Sequence, residues 1–248
     1  MVRDRAHPGV ARRGTRRGGL RGRTYPGPVN EQRSAPDPIL TTLVGLAGYT
    51  ELAAFGLLAS RSVDAPDLAT RQTLAVAAGE ALGRQERLLA LVDGEPAAVM
   101  APFDGALADF DARTAPSSWA EGLLKGVVGL GVAQDLCREL AAGLPGGRDD
   151  FVQAVGEPRP DDAATAVLAG AASADGVLAA RLALWGRRVV GEALGLVPVL
   201  QAAHPPLATL AAGAREASSD GGASAQAWLV SRLTAEHTRR MDRIGLAA

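Results

Sequence analysis

The chain is short of the residue types from which most small catalytic and metal-binding sites are built. It has one cysteine, Cys137, which excludes an internal disulfide and fits a reducing, cytoplasmic setting. Its three histidines, His7, His204 and His237, are far apart in sequence, and there is no C-x-x-C pair, so a zinc site is not expected. No glycine-rich loop joins a strand to a helix, and no P-loop is present. A serine nucleophile would lack its G-x-S-x-G elbow. Aromatic residues make up only 4% of the chain, so small aliphatic side chains must fill the core. That suits closely packed helices better than a β-sandwich. No uninterrupted apolar run reaches the ~18 residues that span a bilayer, so no membrane association is expected. The first arginines are not followed by an apolar stretch, as a secretory signal would require.

What the chain does have is length, aliphatic content and arginine. Its 248 residues are 47% hydrophobic, enough for one large domain. Lys125 is the only lysine; the other basic residues are arginines, a bias expected of a GC-rich genome. The net charge of -1 conceals an asymmetry. Residues 1–36 carry nine arginines against Asp4 and Glu31, so the rest of the chain is distinctly acidic. That arm, with almost no large apolar residue, cannot offset its ordering entropy by burial and is expected to be disordered. Two readings of it stay open. It is an arm attracted to RNA or to a membrane surface, or it is upstream sequence read from a mis-assigned start. The chain-wide arginine bias favours the second. The folded domain is expected over 37–247.

Apolar periodicity in that domain is helical throughout. A first helix is expected over 38–61, with Pro38 in its first turn, then a break at Asp64-Ala-Pro-Asp67 and a second helix over 68–93. Residues 94–117 read as a long connection, with a short helix at 104–112. A third helix starts at Pro116-Ser-Ser118 and ends at Pro145-Gly-Gly147. A fourth covers 149–172, with Glu157-Pro-Arg-Pro160 either kinking it or delaying its start. Further helices are expected over 174–202, bent near its end by Pro198, over 206–217 and over 224–243. A long crossover in the middle of four helices is what a ferritin-like bundle needs. The expected fold is therefore all-α: a ferritin-like four-helix bundle with additional C-terminal helices behind a disordered arm.

One residue is out of place in this pattern. Glu51 lies on the apolar stripe of the first helix, flanked at helical spacing by Val44, Ala47, Gly48, Ala54, Phe55 and Leu58. A carboxylate facing a bundle interior needs a partner or a proton. Di-iron bundles place glutamates this way. The alternative is a glutamate at the stripe edge paired with an arginine such as Arg84 or Arg187. Two other acids have structural readings. Glu121 completes a capping box with Ser118, and Glu192 has Arg188 four residues earlier as a partner. The glycines of Gly126-Val-Val-Gly129-Leu-Gly131 read as close helix–helix contacts. His237 reads as a packing or capping residue.

Four strings carry a family resemblance over about residues 38–247. They are Tyr49-Thr-Glu-Leu-Ala-Ala-Phe55, Arg113-Thr-Ala-Pro-Ser-Ser-Trp-Ala-Glu-Gly-Leu-Leu-Lys125, Leu182-Ala-Leu-Trp-Gly-Arg-Arg-Val-Val-Gly-Glu-Ala-Leu194 and Arg232-Leu-Thr-Ala-Glu-His-Thr-Arg-Arg-Met241. They resemble a ferritin-like family of GC-rich bacteria that is similar to the MiaE-type tRNA hydroxylases. The resemblance implies a di-iron site of six ligands, drawn from Glu, Glu-x-x-His, an acidic residue and Asp/Glu-x-x-His on successive helices. Glu51 matches the first. Aligning the second helix on Glu86-Arg-Leu88 puts Ala81 at the glutamate and Arg84 at the histidine; a shift of one restores Glu80 but leaves Gly83 at the histidine. In the third helix, Gly129-Leu130-Gly131 stands where the family has Gly-Asp-Gly. Counting back from Trp185 puts Glu157 at the acid and Pro160 at the second histidine.

Two carboxylates, Glu51 and Glu157, do not hold two irons that need several anionic and imidazole ligands. Ala81, Arg84, Leu130 and Pro160 occupy the lost ligand positions. The expected protein is a pseudo-enzyme of this family, with no cofactor and a binding or scaffolding role, as a homodimer or as the partner of an active paralogue. One alternative is an active non-heme di-iron monooxygenase with rearranged ligands, acting on modified tRNA. The other is an RNA-binding module that works through the arm.

Overall fold

The computed structural model describes residues 37–156, 163–218 and 224–248. The arm 1–36, with its expected disorder, lies outside them, as do Glu157 and Pro160. Helix α1 (Pro38–Val63) starts where expected. The Asp37 carboxylate accepts from the backbone of Ile39 and Leu40, and Pro38 sits where a missing N–H costs nothing. Helix α2 (Leu68–Leu89) is capped by Asp67, which accepts from Thr70 N at 2.7 Å. The two helices fold back on each other as a hairpin and form the most extensive helix pair among the described residues.

The connection that follows is not bare. It holds α3 (Pro96–Met100), a 3₁₀ turn (Ala101–Phe103) and α4 (Ala108–Arg113). The expected 104–112 helix is thus shorter and shifted, and α3 was not foreseen. This segment delivers Phe103 and Phe110 to the core, two of the chain's four phenylalanines.

The expected third helix is a rod in three parts: α5 (Trp119–Lys125), a π-helical segment (Gly126–Leu130) and α6 (Gly131–Ala141). A π turn adds a residue to the i→i+4 register and so re-aims the side chains beyond it. The expected fourth helix is two separate helices. Helix α7 (Arg148–Val155) ends at Gly156, and α8 (Ala163–Ala174) begins after it. The physical reason precedes the two prolines. Gly156 has φ +77° and ψ 165°, a conformation essentially reserved for glycine, and it turns the chain out of the helix. Helix α9 (Gly176–Ala203) runs through Pro198 without ending there. Helices α10 (Pro205–Ala217) and α11 (Ala225–Ile244) complete the fold.

Ala35–Ala248 close into one compact unit. Among the described residues there are helices and turns but no strand, and the architecture is the expected all-α bundle with additional C-terminal helices. Helix α6 packs on α1, α10 and α11, while α9 packs on α5, α8, α10 and α11. Leucine and alanine fill most of the core, as the low aromatic content requires. Two tryptophans bridge elements through their indole N–H. Trp119 donates to Arg61 O at 2.9 Å, and Trp185 donates to Glu121 O at 3.0 Å. Helix α1 is long and apolar enough to cross a bilayer by length and composition, because its Gly, Ala, Ser and Thr residues add little polarity. Half of that stretch is buried inside the bundle, as in a core helix.

The C-terminal end of α6 approaches α10 at backbone distance. A Cβ on Gly143 would stand 2.1 Å from Leu210 O and 2.8 Å from Ala214 N. Neither atom can move without separating the helices. Gly143→Ala should therefore destabilise the fold by about 2 kcal/mol or more, read as a lower urea midpoint at unchanged slope.

Candidate functional site: an ion pair inside the bundle

Glu51 is 2% exposed, and both of its carboxylate oxygens are occupied. Arg84, from α2, places Nη2 at 2.9 Å and Nε at 3.0 Å from Oε2. Gln134, from α6, donates Nε2 to Oε1 at 2.9 Å. Three helices thus contribute one residue each to the same point. Between the two arginines expected as partners, the structure selects Arg84; Arg187 instead donates to the backbone of Ala248.

Of the positions compared with ligands, the described ones, Ala81, Arg84 and Leu130, gather around this pair. Ala81 and Leu130 pack with Ala54 in one small apolar cluster. Leu130, Arg84 and Gln134 line the same cleft. The π turn supplies the register that puts Leu130 there, while its neighbours permit close approach. A Cβ on Gly126 would meet Leu57 at 2.4 Å, and one on Gly129 would meet Phe110 at 2.5 Å. The glycines of this string are close helix contacts, as their pattern suggested.

These residues do not fit a di-iron centre. The one carboxylate at the site already accepts two hydrogen bonds and an ion-pair contact, and a permanent cation stands where a second ligand is needed. Among the described residues no group of three or more His, Cys, Asp or Glu is placed to hold a metal ion. Glu157, the other candidate ligand, lies outside the described residues.

A second buried charge centre, which the sequence pattern did not reveal, starts at the next residue of α6. Asp135 accepts from Arg240 of α11 and, at 3.3 Å, from Arg138. Arg240 lies flat on the helix because position 131 has no side chain: a Cβ on Gly131 would stand 2.6 Å from its Nε. His237, one turn before Arg240, is 3% exposed, and neither ring nitrogen has a partner. Burial, aided by the Arg240 charge, pushes its pKa down to about 4. It packs, as expected, but caps nothing. The only sequence signal for this centre was charge on the apolar face of the last helix. The partners are 105 residues apart, so spacing could not pair them.

The remaining candidates have structural roles. Ser118 caps α5 by accepting from Glu121 N, but the Glu121 carboxylate reaches one residue beyond a capping box, to Ser117 N at 2.7 Å and Ser117 Oγ at 2.6 Å. The Ser117 hydroxyl bond holds the Glu121 carboxyl below its ordinary pKa. Glu192 does not pair with Arg188. It faces Arg113 at 3.4 Å, while Arg188 donates to Arg113 O and stacks over Trp185, because the C-terminal end of α4 lies against α9. Burial pushes the Cys137 thiol up to about 12, so it is no nucleophile.

An all-helical bundle centred on a carboxylate that three helices converge on is the ferritin-like arrangement. The family model for a ferritin-like domain of actinomycetes matches residues 37–214, and the chain belongs to that family. A search of curated proteins gives no match.

His237 makes stability depend on pH with a defined sign. Its folded pKa lies below the unfolded value near 6.5, so the unfolded chain binds the extra proton. Its contribution is complete above pH 6.5 and is lost as pH falls towards 4. Thermal melts of the wild-type protein should drop over that window by more than those of His237→Met.

Proposed function

We propose that this chain is a metal-free member of the ferritin-like family that binds a partner or ligand instead of catalysing an oxidation. The observation that carries this reading is Arg84 at 2.9 Å from Glu51, a salt bridge at the point where family resemblance asks for a metal ligand. An iron ion and a guanidinium compete for the same carboxylate oxygens. The guanidinium, on Oε2, is covalently tethered and always charged, so iron has to displace it to bind there. Resemblance to the MiaE-like group supports descent from a di-iron ancestor, with Ala81 and Leu130 replacing acids by apolar contacts. A homodimer or an active paralogue is the protein partner in this reading, and tRNA enters it through the resemblance alone.

Elemental analysis of full-length protein purified from iron-replete cells tests the proposal. Iron below about 0.1 per chain is expected, since the described residues offer none of the several anionic and imidazole ligands a di-iron centre needs beyond Glu51. Two tightly held irons per chain would overturn it.

A further inference from the structure

Helix α9 turns an apolar face to solvent along its length. Val177, Leu184 and Val199 are 74%, 64% and 61% exposed. At helical spacing between and beyond them stand Ala180, Gly191, Gly195 and Ala202, all exposed. The charged residues beside this face are drawn off to its edges. Arg181 pairs with Glu121 at 3.3 Å, Arg187 donates Nε to Ala248 O at 3.1 Å, and Arg188 donates to Arg113 O at 2.7 Å while lying over the Trp185 ring. A contiguous apolar face of this kind marks a contact surface.

The face suits a second copy of itself in shape. A Cβ on Gly191 or Gly195 would meet nothing within 4 Å, so packing inside the chain does not require either glycine. Each costs a helix interior about 0.5–1 kcal/mol relative to alanine, which close approach of another backbone would offset. Four, seven and eleven residues from Gly191 stand Arg187, Leu184 and Ala180 on one side, and Gly195, Pro198 and Ala202 on the other. One half of the face is bulky and the other flat. A two-fold axis through Gly191, with the two helices antiparallel, seats Leu184 of each copy on Gly195 and Pro198 of the other. A parallel pair would set leucine on leucine and leave the glycines apart.

Charge fits the same arrangement. Antiparallel pairing keeps the α4 edge of one copy beside the α4 edge of the other. Arg188 lies three residues before the axis and Glu192 one after it, so each Arg188 comes within about 3 Å, along the helix, of Glu192 of the second copy. The contact Glu192 already makes, with Arg113 at 3.4 Å, is long and exposed. A lipid surface is the poorer occupant: it gains little from glycine and recruits free arginines, while those of this face are tied down. The 28-residue helix is about 42 Å long and about 10 Å wide, so two copies bury on the order of 1,000 Å² with their edges included, the range of a reversible dimer.

We infer that the chain forms a two-fold symmetric homodimer through antiparallel α9 helices that meet at Gly191. The inference rests on the proposed binding role, for which it names the partner, and needs no particular state of the Glu51–Arg84 pair.

Sedimentation of the full-length protein between about 5 and about 200 μM should show a reversible dimer with a Kd of about 1–50 μM. Leu184→Glu alters an exposed side chain, so it should keep the wild-type melting temperature in dilute solution and raise the Kd at least tenfold. Gly191→Cys should give a disulfide-linked dimer on mild oxidation, whereas Val177→Cys, about 42 Å from its counterpart in the antiparallel pair, should not. The native Cys137 is buried and takes no part. Wild-type protein that stays monomeric at about 200 μM, a Kd unchanged by Leu184→Glu, or Val177→Cys cross-linking as readily as Gly191→Cys would each overturn the inference. So would a monomer that floats with phosphatidylcholine vesicles, which gives the face to a membrane. Iron content is measured separately: an iron-free monomer removes this inference and leaves the metal-free reading standing.

Discussion

A carboxylate in the middle of a bundle helix can be tolerated in three ways. It can keep a proton, bind a metal, or meet a cation with enough hydrogen bonds to replace lost water. Glu51 takes the third. Its two oxygens accept from a guanidinium on α2 and a carboxamide on α6, so one side chain ties three helices. The pair is asymmetric: the carboxylate is sealed, while the Arg84 side chain is 22% exposed and reaches the cleft. Such a pair adds little net stability over apolar packing, but losing one partner strands the other charge. The arrangement therefore fixes the register of α1, α2 and α6 more than it strengthens the fold.

That register depends on small residues and on one irregular turn. The π segment and its glycines let Leu57, Phe110 and Arg240 reach the surface of the α5–α6 rod. With side chains at positions 126, 129 and 131, the rod would be pushed outward, and both Gln134 and Asp135 would leave their partners. The cleft thus has a common origin with the ion pair. The backbone that brings Gln134 to Glu51 also lays Arg240 over Gly131 and leaves the arginine-lined space between α2 and α11.

Most helix ends were legible because local chemistry decides them. Pro38, Asp67 and Ser118 act at the termini they mark. Glu51 was legible because helical periodicity exposes a carboxylate among apolar neighbours, while the choice of Arg84 over Arg187 came only with the packing of the second helix. What could not be read depends on tertiary contact. The break at Gly156 was hidden by the louder prolines after it. The π turn leaves no mark beyond glycine content. Arg113 reaches Glu192, and Arg240 reaches Asp135, only after helices distant in sequence have packed. Near neighbours, such as Arg188 for Glu192, were overvalued for the same reason.

The central claim is that Glu51 is held by Arg84 in place of a metal. A double-mutant cycle on the metal-free protein, with Glu51→Gln, Arg84→Met and both together followed by urea unfolding, measures that interaction directly. The account predicts a favourable coupling of about 2 kcal/mol or more, as close charge pairs removed from water give. A coupling below about 0.5 kcal/mol, the level of an exposed surface pair, would contradict it.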